Sequence, residues 1–398
     1  MYIKLSSNNL FSYLITSKLL QQQELVFAKI YPQCSTAGRD NFISLTVNIP
    51  KLGQIFVKQL HHSAEVIKNK IKNELLFYEF LASCSNLIDL SSLLLELLYF
   101  DKINSIVIYQ CPENYLNLES HYIENKGFST KISELMGNTL ANLHRETLNS
   151  QECYHFMNQT IEGELCYQFP YPDYLLDRLY PEAWLQEIHF QGNGFIATYQ
   201  GSKTLIMAVK ELVTNHHHRC ITHNNLQFNN IYISQYWLDN LEQAHNFNKS
   251  IIRLSNWEKC SWGDPAFDLG TVIAGYLLLW LESIIIHPDI KLEQSLHLAL
   301  VPLESLQPSL VVFIRSYLGK YPEIIQEVPD LLRRVVQFTG LALIYKVIAI
   351  IQSFYGFDAR CHAILKVARK LLCSPETSFR SVFGIKESEL LEKVVVKI

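Results

Sequence analysis

Two short segments concentrate the residues able to do chemistry. The first is Ile221-Thr-His-Asn-Asn-Leu-Gln-Phe-Asn-Asn-Ile-Tyr-Ile233, which carries His223, Asn225 and Asn230. The second, Ile251 to Gly270, carries Asn256, Glu258, Asp264 and Asp268, and upstream of both lie Lys58 and Glu74. An amide has no basicity near neutral pH, so none of the asparagines can take a proton from a hydroxyl. Asn225, Asn230 and Asn256 together offer a cation only neutral oxygens, whereas Mg²⁺ is normally held by one or two carboxylates plus substrate oxygens. Taken singly, each residue has a plainer role. Lys58 reads as an edge-strand lysine, Glu74 as an exposed helix charge and His223 as a hydrogen-bonded structural histidine. Asp264 and Asp268 read as turn and helix-cap residues.

Other chemically capable residues have plain readings too. In Asn215-His-His-His-Arg219, adjacent histidines on a helix would point to different faces, so a solvated helix end is expected rather than a metal site. The aromatic run Cys166 to Tyr174 is expected to be a loop packing its rings on the larger part of the protein. The nine cysteines are scattered and contain no C-x-x-C, which argues against a disulfide framework or zinc ribbon and fits a reducing cytosol.

The elements that must position these residues change character along the chain. Leu25–Ile30, Phe42–Val47 and Gln54–Leu60 are strand-like, and the Pro50 and Gly53 between the last two suit a hairpin. From Ala64 to Ala82, Val66, Ile67, Ile71, Leu75, Tyr78 and Leu81 recur on one helical face. Ser105–Gln110 is a buried strand ending at Cys111-Pro112. Beyond it helical patterns dominate: Ser129–Leu148, Thr204–Thr214, Asp268–Ile286, Ser309–Leu318, Pro329–Phe354 and Ala359–Leu372. The strand-loop-strand stretches Ile221–Ile233 and Ile251–Trp257 interrupt them. The expected boundary is at Pro112, giving 1–112 and 113–398.

Bulk properties bound the rest. The composition is 48% hydrophobic and 18% charged, ample for a packed core. A formal net charge of −4 suggests no nucleic-acid partner. The N-terminus lacks the pattern of a signal peptide. Thr271–Ile286 and Gly340–Phe354 are apolar, but Glu282, Lys346 and Gln352 interrupt or bound them, so buried core helices are expected and no membrane association.

Read together, the segments resemble a known group. His223, Asn225 and Asn230 follow the H-x-D-x-x-x-x-N spacing of kinases. The first segment resembles the catalytic loop of aminoglycoside and choline kinase-like phosphotransferases, His-Gly-Asp-Leu-x-x-x-Asn. The second resembles their Ile-Asp-Trp-Glu metal segment and the Gly-Asp-Pro-x-x-Asp-Leu that follows, here Asn256-Trp-Glu258 and Gly263-Asp-Pro-Ala-Phe-Asp-Leu269. Ile55-Phe-Val-Lys-Gln59 is similar to the strand with the phosphate-binding lysine, and Glu74 falls where its carboxylate partner is expected. Gly38-Arg-Asp-Asn-Phe42, with Gly38 and Arg39, resembles the nucleotide-covering turn. Gly137 to His144 resembles the helix ahead of the catalytic loop. The resemblance spans about residues 35–275, with 235–250 as an inserted loop.

The resemblance implies an α+β class: a two-lobed protein-kinase-like fold with a small sheet-plus-helix N-lobe and a large, mostly helical C-lobe. It also implies roles. Asn225 stands where the catalytic aspartate would be, and His223 is structural in that loop. Lys58, Glu74, Gly38 and Arg39 would bind nucleotide, while Asn230 and Asn256 form a degenerate metal position. Glu258 is no evident replacement, because Trp-Glu occurs there in active relatives. The expectation is a pseudokinase of the cytoplasm that binds ATP or another nucleotide, a peptide or a partner protein, with doubtful use of Mg²⁺. Two alternatives stand beside it. One is an active phosphotransferase on a small-molecule or peptide Ser/Thr hydroxyl, in peptide natural-product maturation for instance. The other is a non-enzymatic structural subunit.

Overall fold

The computed structural model describes residues 3–31, 42–60, 65–84, 87–111, 114–125, 127–158, 175–176, 178, 192–238, 251–352 and 356–395. It is α+β. Contacts divide the chain into two compact units: Met1–His121 with Asn229–Lys259, and Tyr122–Phe228 with Cys260–Ile398. The division falls after His121 rather than at 112, and 229–259 joins the N-terminal unit. Strand pairing is the reason: β6 (Tyr115–Asn117), β8 (Ile231–Ser234) and β9 (Ile252–Leu254) form one three-stranded antiparallel sheet.

The main sheet of the first unit is antiparallel, in the order β1-β2-β3-β5-β4. Its strands are β1 (Lys29–Tyr31), β2 (Phe42–Ile49), β3 (Gly53–Leu60), β4 (Glu96–Asp101) and β5 (Ile106–Gln110). The β2–β3 hairpin closes with Ile49 opposite Gly53, whose φ of 67° is the left-handed conformation a three-residue hairpin loop demands. Alternation along β3 decides what faces what. Ile55 and Val57 join Val47, Ile49, Ile106 and Ile108 on one face, under Leu10, Tyr13 and Leu14 of α1 (Leu10–Thr16). Phe56 joins Val107 and Tyr109 on the other, against Leu75 and Tyr78 of α2 (Glu65–Ser83). Lys58 therefore points toward α2. Three features depart from expectation. The covering helix α1 was not anticipated, nor was β4, an edge strand whose burial does not alternate. The run from Leu25 is a turn, with Val26 and Phe27 exposed, and strand begins only at Lys29, where a partner strand is available.

The second unit is built on helices. They are α3 (Thr130–Thr147), α4 (Lys203–Thr214), α5 (Pro265–Glu282), α6 (Leu303–Lys320), α7 (Leu331–Gln352), α8 (Ala359–Cys373), α9 (Pro375–Phe383) and α10 (Glu387–Val395), with shorter helices between. β7 (Cys220–Thr222) and β10 (Ser261–Gly263) pair antiparallel beside them. Helix α5 starts three residues before the expected Asp268, because Asp264 caps it by accepting from Ala266 N at 2.9 Å and Pro265 suits the first turn. Helix α6 starts at Leu303 and runs through Pro308, earlier than the expected Ser309.

Helices α5 and α7 are long and apolar enough to cross a membrane, yet 72% and 67% of their apolar windows are buried in the unit. Phe267 of α5 meets Phe338 of α7 edge-on at 5.3 Å. Helices α3 and α6 cross so closely that a Cβ on Gly137 would lie 2.4 Å from the Phe313 carbonyl oxygen. Gly137→Ala is therefore expected to destabilise. An overpacking penalty of about 1–3 kcal/mol outweighs a helix-propensity gain of at most about 1 kcal/mol. A variant whose calorimetric melting temperature matches or exceeds the parent would refute this crossing.

Candidate functional site

In the first unit, Lys58 occupies a central strand, which rules out the edge-strand reading, and is only 3% exposed. Its Nζ donates to Glu258 Oε2 at 2.9 Å, to Asn256 Oδ1 at 3.1 Å and to Glu74 Oε2 at 3.4 Å. Glu74 is 1% exposed, not a surface charge, and its other oxygen accepts the Trp257 backbone N–H at 3.0 Å. Trp257 stacks on Phe77 of α2 with ring centroids 4.7 Å apart and donates its indole N–H to Leu254 O. These contacts seat α2 against the turn that carries Asn256 and Glu258. Asn256 has a φ of 64°, a left-handed conformation asparagine tolerates. The short 3₁₀ turn Trp257–Lys259 follows directly and carries Glu258. Asn256 Nδ2 donates to Asn230 Oδ1 at 2.7 Å, and Ser255 N donates to the Asn230 carbonyl.

The electrostatics follow from burial. Burial works against the Lys58 charge, but the Glu258 and Glu74 carboxylates outweigh it and hold the ammonium well above its ordinary range. Burial likewise opposes the Glu258 charge, and Lys58 overrides it, holding the carboxyl down at about 2. Glu74 moves the other way. Burial raises it by desolvating its charge, and the negative charge of Glu258 adds to that, so the pull of Lys58 does not bring it down. Two carboxylates thus surround one ammonium.

The donor set does not fit Mg²⁺. Of the two amide oxygens at the expected metal position, Asn256 Oδ1 already accepts from Lys58 and Asn230 Oδ1 from Asn256. The adjacent carboxylate, Glu258, is committed to Lys58. Among the described residues no group of three His, Cys, Asp or Glu is placed to hold a metal ion.

The second unit holds the other expected loop. His223 and Asn224 are fully buried, and their backbone N–H groups donate to Asp268 Oδ2 and Oδ1, each at 2.8 Å. His144 of α3 bridges Asp268 Oδ2, at 3.2 Å, to the Tyr317 hydroxyl, at 3.0 Å. Asn225 N donates to His223 Nδ1 at 3.2 Å, which fixes that ring nitrogen as an acceptor. His223 is thus buried and tied to Asp268 through its N–H and to the loop backbone through its ring. Asn224, at φ 59°, turns the chain and donates Nδ2 to Ser261 Oγ at 2.7 Å. Asp268 is consequently no cap. It lies within the first turn of α5 and clamps the loop backbone.

The histidine run is not a solvated helix end. Helix α4 stops at Thr214, and the three histidines follow it as a half-buried connection to β7. His217 N donates to Asp264 Oδ2, and His218 Nδ1 contacts the Trp262 carbonyl at 2.8 Å. Burial drives His216 down to about 3, so it is neutral near pH 7. Asp264 also accepts from Arg334, which is only 4% exposed.

Of the residues expected at the site, Lys58, Glu74, Asn230 and Asn256 come together in the first unit. His223 and Asn225 share the loop of the second. Gly38, Arg39 and the aromatic run 166–174 lie outside the described residues. Glu258 was discounted in the sequence, yet it makes the shortest contact to Lys58. The signal that could have found it is its place two residues after Asn256, in the same short segment.

No protein-family model matches the sequence, and a search of curated proteins finds no match. Solved structures do show likeness. A choline/ethanolamine kinase family protein from Mesorhizobium loti is 12% identical, with 86% of this chain and 90% of that chain covered and a TM-score of 0.43. The choline kinase LicA from Streptococcus pneumoniae is 14% identical, with 84% and 97% covered and a TM-score of 0.42. An ADP-bound aminoglycoside phosphotransferase is 14% identical, with 94% and 99% covered and a TM-score of 0.41. Likeness at this level says nothing about which residues react, so the site has to be judged on its own geometry.

Proposed function

We propose that this chain is a kinase-fold protein of the aminoglycoside-phosphotransferase type that has lost phosphoryl transfer and works by binding. Its ligand is ATP or another nucleotide, taken up without Mg²⁺, and its output is the regulation of a peptide or protein partner. One observation carries the reading. Asn256 stands where the resemblance calls for a metal-holding carboxylate, and its amide is used on both sides, accepting from Lys58 at 3.1 Å and donating to Asn230 at 2.7 Å. A carboxylate could not make that second bond. Asn225, the counterpart of the catalytic base, supports the same conclusion, since loss of a general base costs about 10²- to 10⁴-fold in rate. Phosphoryl transfer depends chiefly on positioning and charge neutralisation, so losing base and metal carboxylate together removes both supports.

The test is thermal stability with ATP in EDTA and again with Mg²⁺, alongside an assay for ATP turnover. A nucleotide at about 100 times its dissociation constant adds about 2.7 kcal/mol of stability. The expected result is an upward melting shift of similar size with and without Mg²⁺, abolished in Lys58→Ala, and no turnover. Mg²⁺-dependent turnover by the native chain would overturn the reading in favour of an active phosphotransferase. The absence of any shift with nucleotide would favour a structural subunit instead.

A further inference from the structure

The side chains around Lys58 suggest how the proposed site is controlled. An ammonium has three N–H donors. Those of Lys58 are taken up by Glu258 Oε2 at 2.9 Å, Asn256 Oδ1 at 3.1 Å and Glu74 Oε2 at 3.4 Å. A phosphate oxygen can reach Lys58 only by displacing one of these acceptors. Glu74 is anchored through its second oxygen by the Trp257 N–H, and Asn256 is pinned to Asn230. Glu258 makes the shortest contact and, with its side chain 9% exposed against 1% for Glu74, is the more accessible carboxylate.

We propose that Glu258 is an internal anion that occupies the phosphate position on Lys58, closing it to phosphoryl ligands until the Glu258 side chain swings away. The neutrality of Asn256 belongs to the same device. An aspartate there would put a third carboxylate around a single ammonium and could not donate to Asn230. The asparagine lets Glu258 close on Lys58 without that repulsion, so the replacement at 256 builds a lock as well as removing a metal ligand. The proposal rests on the reading of Lys58 as the phosphate-binding lysine.

Calorimetric titration of the full chain with inorganic tripolyphosphate in EDTA tests it. Glu258→Gln keeps the side-chain volume and removes the charge, and Glu74 still balances Lys58. Affinity is expected to rise at least tenfold over the native chain, and the gain is expected to vanish in the double variant Lys58→Met/Glu258→Gln. If Glu258→Gln fails to fold, Glu258→Asp, which shortens the reach to Lys58, is the variant to titrate, and the same direction is expected. Equal affinity in native chain and variant overturns the lock. So does a gain that persists in the double variant, since it would come from net charge rather than from Lys58, and so does a lack of binding by either protein. Turnover of Mg²⁺-ATP would instead defeat the loss of phosphoryl transfer and leave this comparison of affinities intact.

Discussion

Lys58→Met is expected to destabilise the first unit by about 3–5 kcal/mol, because it leaves two buried carboxylates without their cation. The geometry sets this size. Glu74 and the Glu258 side chain are 1% and 9% exposed, and Lys58 is the counter-charge within reach of both. A surface lysine would be worth far less, since exposed ion pairs contribute about 0–1 kcal/mol. The loss also has a predictable pH dependence. In the native chain Lys58 holds Glu258 down at about 2, so their pairing is intact above the ordinary carboxylate range and fails only as the pH falls toward that value. In the variant the charge and hydrogen bond of Lys58 are gone, and burial, the largest influence on Glu258, acts against only Lys259 and a backbone hydrogen bond, which raises the carboxyl. A group raised in the folded state favours folding at low pH and loses that contribution as pH rises. The deficit of Lys58→Met should therefore be largest near pH 7 and shrink toward about pH 4–5. Denaturant unfolding at several pH values checks it. A deficit that is flat with pH, or below about 1 kcal/mol, would show that the three side chains are not coupled as described. Adding Glu258→Gln to Lys58→Met should recover part of the loss, as expected for groups in direct contact.

Asp268→Ala should be comparably severe in the second unit. The native carboxylate is fully buried and accepts the backbone N–H groups of His223 and Asn224 and contacts His144 Nε2. Removing it orphans two buried backbone donors, each at about 1–3 kcal/mol, and strips His144 Nε2 of its carboxylate partner, while Nδ1 keeps the Tyr317 hydroxyl. A total of about 3–5 kcal/mol is expected. Amide exchange at residues 223–225 should speed up well beyond that of α7, because the clamp acts on the loop backbone and not on the helix core. Unchanged protection of these amides in Asp268→Ala would mean that the loop is held by β7 and β10 alone. Asp268→Asn separates charge from shape. Its single amide oxygen can satisfy one of the two backbone donors but turns an NH₂ toward the other, so an intermediate loss is expected.

Both cases bear on what a sequence can tell. Strand and helix periodicity were local properties and could be read directly. Phe56 and Lys58 share one face of a strand by alternation, and the helical pattern around Leu75 and Tyr78 put Glu74 on a helix, although its pairing with that lysine was implied by the resemblance alone. The order of motifs, with asparagine at 225 and 256, was equally plain, because it depends on residue identity alone. Helix α1, strand β4 and the first turn of α5 were harder. Helix α1 and the α5 start depend on distant partners, the Ile55 and Val57 face for α1 and Arg334 for the Asp264 cap, while β4 pairs with the neighbouring β5 but is half-buried without alternation.

Glu258 marks the limit most clearly. In sequence it is one more acidic residue after a tryptophan. Its role comes from the left-handed turn at Asn256, from the stacking of Trp257 on Phe77, and from the pairing of β8 and β9 that brings this stretch to β3, about 200 residues earlier in the chain. Sequence alone determined that asparagines stand at 225, 230 and 256 and which secondary elements carry them. Only the tertiary structure decided that the remaining lysine is already occupied. Charge pairing depends on distance and burial, and neither is encoded in the spacing of residues so far apart along the chain.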